Sequence, residues 1–176
     1  MRVVDACAGA GGKTLHLAAL MKNKGQIIAL DIYEWKLAEL KRRAKRAGAH
    51  NIETRFIEDN KVIKRLHEKA DRLLIDAPCS GLGVLKRNPD SKWKIDQDFI
   101  DRIKNEQQQI LQDYSKMLKK GGKMVYATCS ILPSENNEQV ETFLKNNEGF
   151  TLLKEEKVMP SDGFDGFYMA LIQRNA

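Results

Sequence analysis

Two short stretches of this 176-residue chain set a cysteine among polar neighbours and turn formers. One is Asp76-Ala77-Pro78-Cys79-Ser80-Gly81, the other Ala127-Thr128-Cys129-Ser130. A lone cysteine is most often a small buried hydrophobe. Two in polar loops suit reactive thiols, which need a partly exposed setting that favours thiolate. A third stretch, Asp5-Ala6-Cys7-Ala8-Gly9-Ala10-Gly11-Gly12-Lys13-Thr14, is a glycine-rich turn whose amides can approach a ligand closely. The chemistry that needs a thiol pair is methylation of an unreactive aromatic carbon. C5 of cytosine is a poor nucleophile. A thiolate adding to C6 makes the ring enamine-like, so that C5 can take a methyl group, and a base must then remove the C5 proton. An acid near N3 and the exocyclic amine would read the base. Asp76 is the candidate, held by Lys13. The base must be unstacked or single-stranded to enter.

The elements that would position these groups alternate between short apolar strands and amphipathic helices, the pattern of an α/β sheet. Strands are expected at Arg2 to Ala6, Gln26 to Asp31, Ile52 to Ile57, Asp71 to Asp76 and Lys123 to Thr128. Two more are expected near Phe150 to Lys154 and Gly166 to Gln173, paired antiparallel because no helix separates them. Tyr33, Leu37, Leu40, Ala44 and Ala47 follow the helical period, with Gly48 as the stop. Val62 to Glu68 reads as a short helix. Pro78 to Ile95 reads as a long loop, and such loops are often functional. A helix over Asp96 to Leu118 carries a seam at Phe99, Ile103, Ile110, Tyr114 and Met117, and Lys119-Lys120-Gly121-Gly122 reads as its end. Pro133-Ser134 opens a further helix to about Lys145. The result is a Rossmann-like sheet with its ligands at the carboxyl ends of the strands, where Asp5, Asp31, Asp59, Asp76 and Cys129 fall. Adjacent strand ends bring both thiols and Asp76 to one cleft.

The glycine turn has two readings. Gly12-Lys13-Thr14 matches the end of a phosphate-binding loop, and Leu73-Leu74-Ile75-Asp76 resembles a magnesium-holding strand end, which together would suit a nucleotide triphosphatase. That pattern wants glycine at position 7, where this chain has Cys7. The other reading is a methyl-donor site for S-adenosylmethionine, with Asp31 placed for the ribose hydroxyls and Asp59 for the adenine amine. A generic Rossmann-like nucleotide site has the same spacing.

Taken together, the motifs resemble the RNA 5-methylcytosine methyltransferases of the Sun/Nop2-related family. The resemblance runs over essentially the whole chain. It rests on the glycine turn, Leu30-Asp31-Ile32, Asp76 to Gly81, Arg87 to Trp93, Ala127 to Ser130 with Pro133 and Glu135 after it, and Asp165 to Tyr168. It implies a methyltransferase fold with a mostly parallel seven-stranded sheet, an antiparallel C-terminal strand and helices on both faces. It implies that Cys129 attacks C6 and that Cys79 assists product release. The cofactor site would be lined by Cys7, Ala8, Gly9, Ala10, Gly11, Gly12 and Lys13, with Asp31, Asp59 and Asp76. Ribosomal RNA is the implied substrate, with transfer RNA behind it. Where the family has alanine-proline before the paired glycines, this chain has Gly9-Ala10, which is expected to loosen the turn. Family members also carry upstream segments that contact cofactor and RNA. The 176 residues are expected to be the single catalytic domain alone, and a cofactor- or RNA-binding fragment that no longer catalyses is the alternative.

Composition bounds these readings. The net charge of +6 permits a nucleic-acid partner without requiring one. Three separated cysteines and three scattered histidines give neither a disulfide framework nor zinc-site spacing. No apolar run suits a bilayer and the N-terminus lacks signal-peptide order, so a cytosolic monomer without metal is expected. Lys86, Arg87, Lys92 and Lys94 with Trp93 could grip phosphates and stack a base, or Trp93 could pack on the core. Lys41-Arg42-Arg43 and Lys45-Arg46 read as a solvated helix face.

Overall fold

A computed structural model describes every residue from Met1 to Ala176. β-branched and apolar runs form β1 (Arg2–Asp5), β2 (Gln26–Asp31) and, past the more polar edge strand β3 (Ile52–Phe56), β4 (Ala70–Asp76). β5 (Leu118–Thr128), β6 (Phe150–Val158) and β7 (Phe167–Arg174) complete a seven-stranded sheet of order β3-β2-β1-β4-β5-β7-β6. The first five strands are parallel, while β7 runs antiparallel to both β5 and β6. The strand order therefore reverses between β1 and β4, and the carboxyl ends flanking that reversal form the natural crevice of such a sheet.

Side chains alternate between the two faces. Val3, Ile27 and Ala29 point toward α1 (Gly12–Leu20) and α2 (Glu34–Arg46), meeting Ala18, Leu37, Leu40 and Ala44. Val4, Ile28, Leu30, Leu73 and Ile75 point the other way into the main core. That core is closed by Ile63 of α3 (Asn60–Lys64), by Ile110 and Leu111 of the long α5 (Gln97–Tyr114), and by Val140 and Phe143 of α6 (Asn137–Asn146). The short helix α4 (Ser91–Lys94) lies in the stretch between β4 and α5. Asp96 caps α5, its carboxylate accepting from Phe99 N–H at 2.8 Å, which satisfies one of the free amides of the first turn. Gly11 just before α1 has φ +88°, and a Cβ there would stand 2.5 Å from Leu40 Cγ. Glycine at that point lets the turn rest directly on α2.

Several expectations need correction. The helix expected to reach Leu118 stops at Tyr114, continues as a 3-10 turn over Ser115–Met117 and gives way to β5 at Leu118. Lys119-Lys120-Gly121-Gly122 therefore belongs to the strand. Its irregularity is a register shift against β4 between Ala70 and Arg72, with Gly121 at φ +72°. The expected long loop holds a 3-10 turn at Leu82–Val84 and the helix α4. The helix expected at Pro133 begins with a 3-10 turn, Pro133–Glu135, before α6. No helix is long and apolar enough to cross a membrane.

Candidate active site

Two cavities meet at the carboxyl ends of β1, β4 and β5. The larger, about 430 Å³, is walled by Cys7, Gly9, Asp31, Tyr33, Phe99 and Ile103 among others, within the range of small-molecule sites. The second, about 390 Å³, is lined by Lys13, Val84, Arg87, Cys129, Asp165 and Phe167. Asp76, Pro78 and Cys79 line both, so the loop after β4 is the partition.

The glycine turn is pinned from two sides. Asp31, at the end of β2, accepts from Gly9 N–H through one carboxylate oxygen and from Tyr33 N–H through the other, each at 2.8 Å. Arg43 of α2 donates to the Ala10 carbonyl at 2.7 Å. Arg43 is thus a brace for the turn, correcting its reading as part of a solvated face. The Gly9-Ala10 pair, expected to be loose, sits between these tethers. Ala8, Gly11 and Gly12 shape the turn without lining the larger cavity; Ala8 packs with Leu37 and Leu40, and Gly12 opens α1. Asp59 also stands outside that cavity. It caps α3, accepting from Lys61 N–H at 2.8 Å and pairing with Lys61 Nζ at 3.2 Å.

The phosphate-loop reading fails on two contacts. Lys13 Nζ is paired with Asp76 at 2.6 Å, and Thr14 is fully buried with its hydroxyl donating to Asp5 at 2.7 Å. Neither is free for a phosphate or its magnesium. Burial pushes the Asp5 carboxyl up to about 6, against the opposing bond from Thr14.

The thiols lie at the junction. Cys79 and Cys129 sulfurs are 3.3 Å apart. The Cys79 thiol hydrogen-bonded to its sulfur pulls Cys129 down to about 7, with burial and Asp76 opposing and Lys13 assisting. The same contact, reinforced by burial, pushes Cys79 far above the ordinary thiol range. Cys7 is also held protonated, first by burial and then by Asp5, Asp31 and Asp76. Of the three thiols, Cys129 is the one drawn toward thiolate. Lys13 also lies 5.4 Å from the Phe167 ring centroid, and Arg87 pairs with Asp165 at 2.8 Å across the wall of the second cavity. Trp93 is 81% exposed, so it does not pack on the core; Lys92 lies 4.9 Å from its ring.

Behind the thiols is a set of polar groups whose role sequence reasoning did not reach, although Glu135 stands in the motif after Cys129. Glu135 and Gln107 are fully buried. Gln107 donates to the Pro78 carbonyl at 2.9 Å and to Glu135 at 3.1 Å. The available signal was Gln107 itself, a polar residue in the apolar register of α5 between Ile103 and Ile110. Phe99, Ile103, Ile110 and Tyr114 of the expected seam line the larger cavity, Ile110 and Tyr114 while also packing on the main core. Gly83 closes the back of the site. Its N–H donates to the Cys129 carbonyl at 2.9 Å, and its carbonyl accepts from Gly166 N–H at 2.7 Å. A Cβ on Gly83 would fall 2.2 Å from the Gly166 oxygen.

Residues 1–173 match the family model described as 16S rRNA methyltransferase RsmB/F. A probable ribosomal RNA small subunit methyltransferase B of Bacillus subtilis (strain 168) is 40% identical over 149 residues, covering 84% of this chain and 33% of its own length. Among solved structures, PH0851 superposes with a TM-score of 0.94 at 34% identity, covering 98% of this chain and 42% of that one. NSun6 from Pyrococcus horikoshii, solved with the S-adenosylmethionine analogue SFG, gives 0.88 at 29% identity, covering 99% and 48%. The chain spans between 33% and 42% of the length of the curated relatives it matches. With the match running along nearly all its residues, the chain belongs to the RsmB/F family of 16S rRNA methyltransferases, whose methyl donor is S-adenosylmethionine.

Proposed function

We propose that this chain transfers a methyl group from S-adenosylmethionine to C5 of a cytosine in RNA, ribosomal RNA before transfer RNA, with Cys129 as the nucleophile. The observation that carries the reading is the thiol pair at 3.3 Å, standing where two adjoining cavities of about 430 and 390 Å³ meet. The larger cavity fits the cofactor. Asp31 offers acceptors for ribose hydroxyls, Gly9 a close backbone approach, and Ile32, Phe99, Ile103 and Ile110 apolar walls for an adenine. When bound there, S-adenosylmethionine supplies an electrophilic methyl group.

The chain's own residues do the rest. Cys129 thiolate adds to C6, forming an S–C bond and moving electron density to C5. Asp76, held by Lys13, accepts from the exocyclic amine and orients the ring. After C5 has gained the methyl group its proton passes to the Cys79 sulfur, which has given its own proton to solvent, and the electrons of the C5–H bond expel the Cys129 sulfur as thiolate. Cys79 assists this second half. Once Cys129 is bonded to carbon its charge is gone, and the largest influence keeping Cys79 protonated goes with it.

The test is methyl transfer to a cytosine-containing RNA with two variants. Cys129→Ala is expected to give neither product nor covalent adduct, and Cys79→Ala to leave a stalled protein–RNA adduct. An adduct that persists in Cys129→Ala and vanishes in Cys79→Ala would reverse the roles. A second reading is a cofactor- or RNA-binding unit that does not catalyse. Binding of S-adenosylmethionine without transfer to any cytosine-containing RNA would select it.

A further inference from the structure

The two thiol loops converge on one buried carboxylate. Ser80 and Ser130 each follow a cysteine. Each hydroxyl oxygen accepts the N–H two residues on, Leu82 at 3.4 Å and Leu132 at 3.1 Å. Each hydroxyl also donates to the same oxygen of Glu135. The other oxygen accepts from Ser80 N–H at 2.8 Å and from Gln107 at 3.1 Å. Glu135 is fully buried, and it appears in none of the ion pairs of the chain. Its backbone is held as well, the Tyr126 hydroxyl donating to its carbonyl at 2.8 Å. A buried carboxylate without a cation is expensive, and an apolar side chain of similar volume would serve packing better. What a carboxylate provides that an apolar group cannot is a rigid acceptor for several donors from different segments.

We infer that Glu135 is a positioning residue, its carboxylate clamping the Ser80 and Ser130 loops so that the Cys79 thiol is held against the Cys129 sulfur. The inference rests on the reading of those thiols as the reactive pair. The clamp is independent of cofactor and RNA, since all its partners belong to the chain. It also reaches α5, through Gln107, and so joins the thiol loops to the helix that walls the larger cavity. Loosening it would separate the sulfurs and leave Cys129 without the proton that stabilises its anion.

The experiment compares the chain with Glu135→Gln, which keeps the shape but replaces one acceptor by a donor, and with Ser130→Ala, which deletes one donor. Alkylation by iodoacetamide is followed at each cysteine by peptide mass spectrometry across neutral pH, and S-adenosylmethionine affinity is read by calorimetry. Both variants are expected to move the Cys129 alkylation midpoint up by about one pH unit. Methyl transfer should lose kcat by on the order of 10²-fold, as a small misplacement of reacting groups does, while cofactor affinity and KM stay within about twofold. A folded Glu135→Gln with an unmoved midpoint and unchanged kcat would overturn the clamp. If Glu135→Gln does not fold, the same two readings on Ser130→Ala decide. A moved midpoint in a chain whose Cys129→Ala form still transfers methyl would uphold the clamp and overturn the catalytic reading instead.

Discussion

The loop after β4 and the loop after β5 are built alike and behave as opposites. Each puts a cysteine just past a strand end, follows it with a serine that turns the backbone, and fastens that serine to Glu135. Yet Cys79 is held protonated and Cys129 is drawn toward thiolate. The difference comes first from the contact between the two sulfurs, which raises Cys79 and lowers Cys129, and then from what surrounds each. Cys79 sits in the partition between two cavities, while Cys129 lines only the second, together with Lys13. A shared local motif thus sets where a thiol stands, and the neighbours set whether it is an acid or an anion.

That contrast can be broken most severely at Cys129. Cys129→Ala is expected to lower transfer by on the order of 10⁴-fold or more, as loss of a nucleophile does. It should also bring the Cys79 alkylation midpoint down, because the partner that raised it is gone. Cys79→Ala acts in the other direction. The Cys129 midpoint should climb from about 7 toward the ordinary 9.0. Reactivity is lost as pH falls through that midpoint, so at neutral pH alkylation of Cys129 should slow roughly fiftyfold. Alkylation rates against pH check both.

Asp31→Ala tests whether the contrast is local. It removes the tether of the glycine turn and an acceptor facing the larger cavity. Affinity for S-adenosylmethionine, measured by calorimetry, should fall by roughly tenfold to a hundredfold with the Cys129 midpoint unmoved. The smallest effect belongs to Asp5, a buried acid at the same strand ends but away from the thiol pair. Its carboxyl is raised from 3.8 to about 6 in the folded chain. That contribution to stability is full below 3.8 and is lost as pH rises through about 6. Asn at this position removes the cost of ionisation, worth about 3 kcal/mol, but weakens the bond from Thr14. Urea denaturation at neutral pH should show Asp5→Asn more stable by about 1 kcal/mol, with the advantage gone in acid and the thiols unchanged.

The two loops were legible in the sequence because cysteine, proline and serine at strand ends mark both a turn and a chemistry. The strand ends themselves followed from apolar runs bounded by glycine and acids. What surrounds the loops was less legible. Phe99, Ile103 and Ile110 show the helical period of a buried face, and period does not say whether that face meets a core or a cavity. Lys119 to Gly122 carry the cations and glycines of a helix end, but pairing with β4 makes them strand. Glu135, next to a proline and a serine, looks like an ordinary acid of a first helical turn. Its burial depends on Ser80 and Gln107, 55 and 28 residues away. Asp59 met the spacing of a ligand-binding acid and is taken by its own helix.

The order of the sheet has a consequence for how the chain acquires its site. β7 follows β6 in sequence yet lies between β5 and β6. β6 therefore joins the sheet only through β7, either as a β6–β7 hairpin that docks on β5 or after β7 has paired there. Asp165, Gly166 and Phe167, which wall the second cavity and brace Gly83, arrive with that same strand. Pairings of this kind close large loops and come late, because their entropy cost precedes their reward. Until β7 meets β5, the second cavity lacks Asp165 and Phe167, and the thiols stand without that wall.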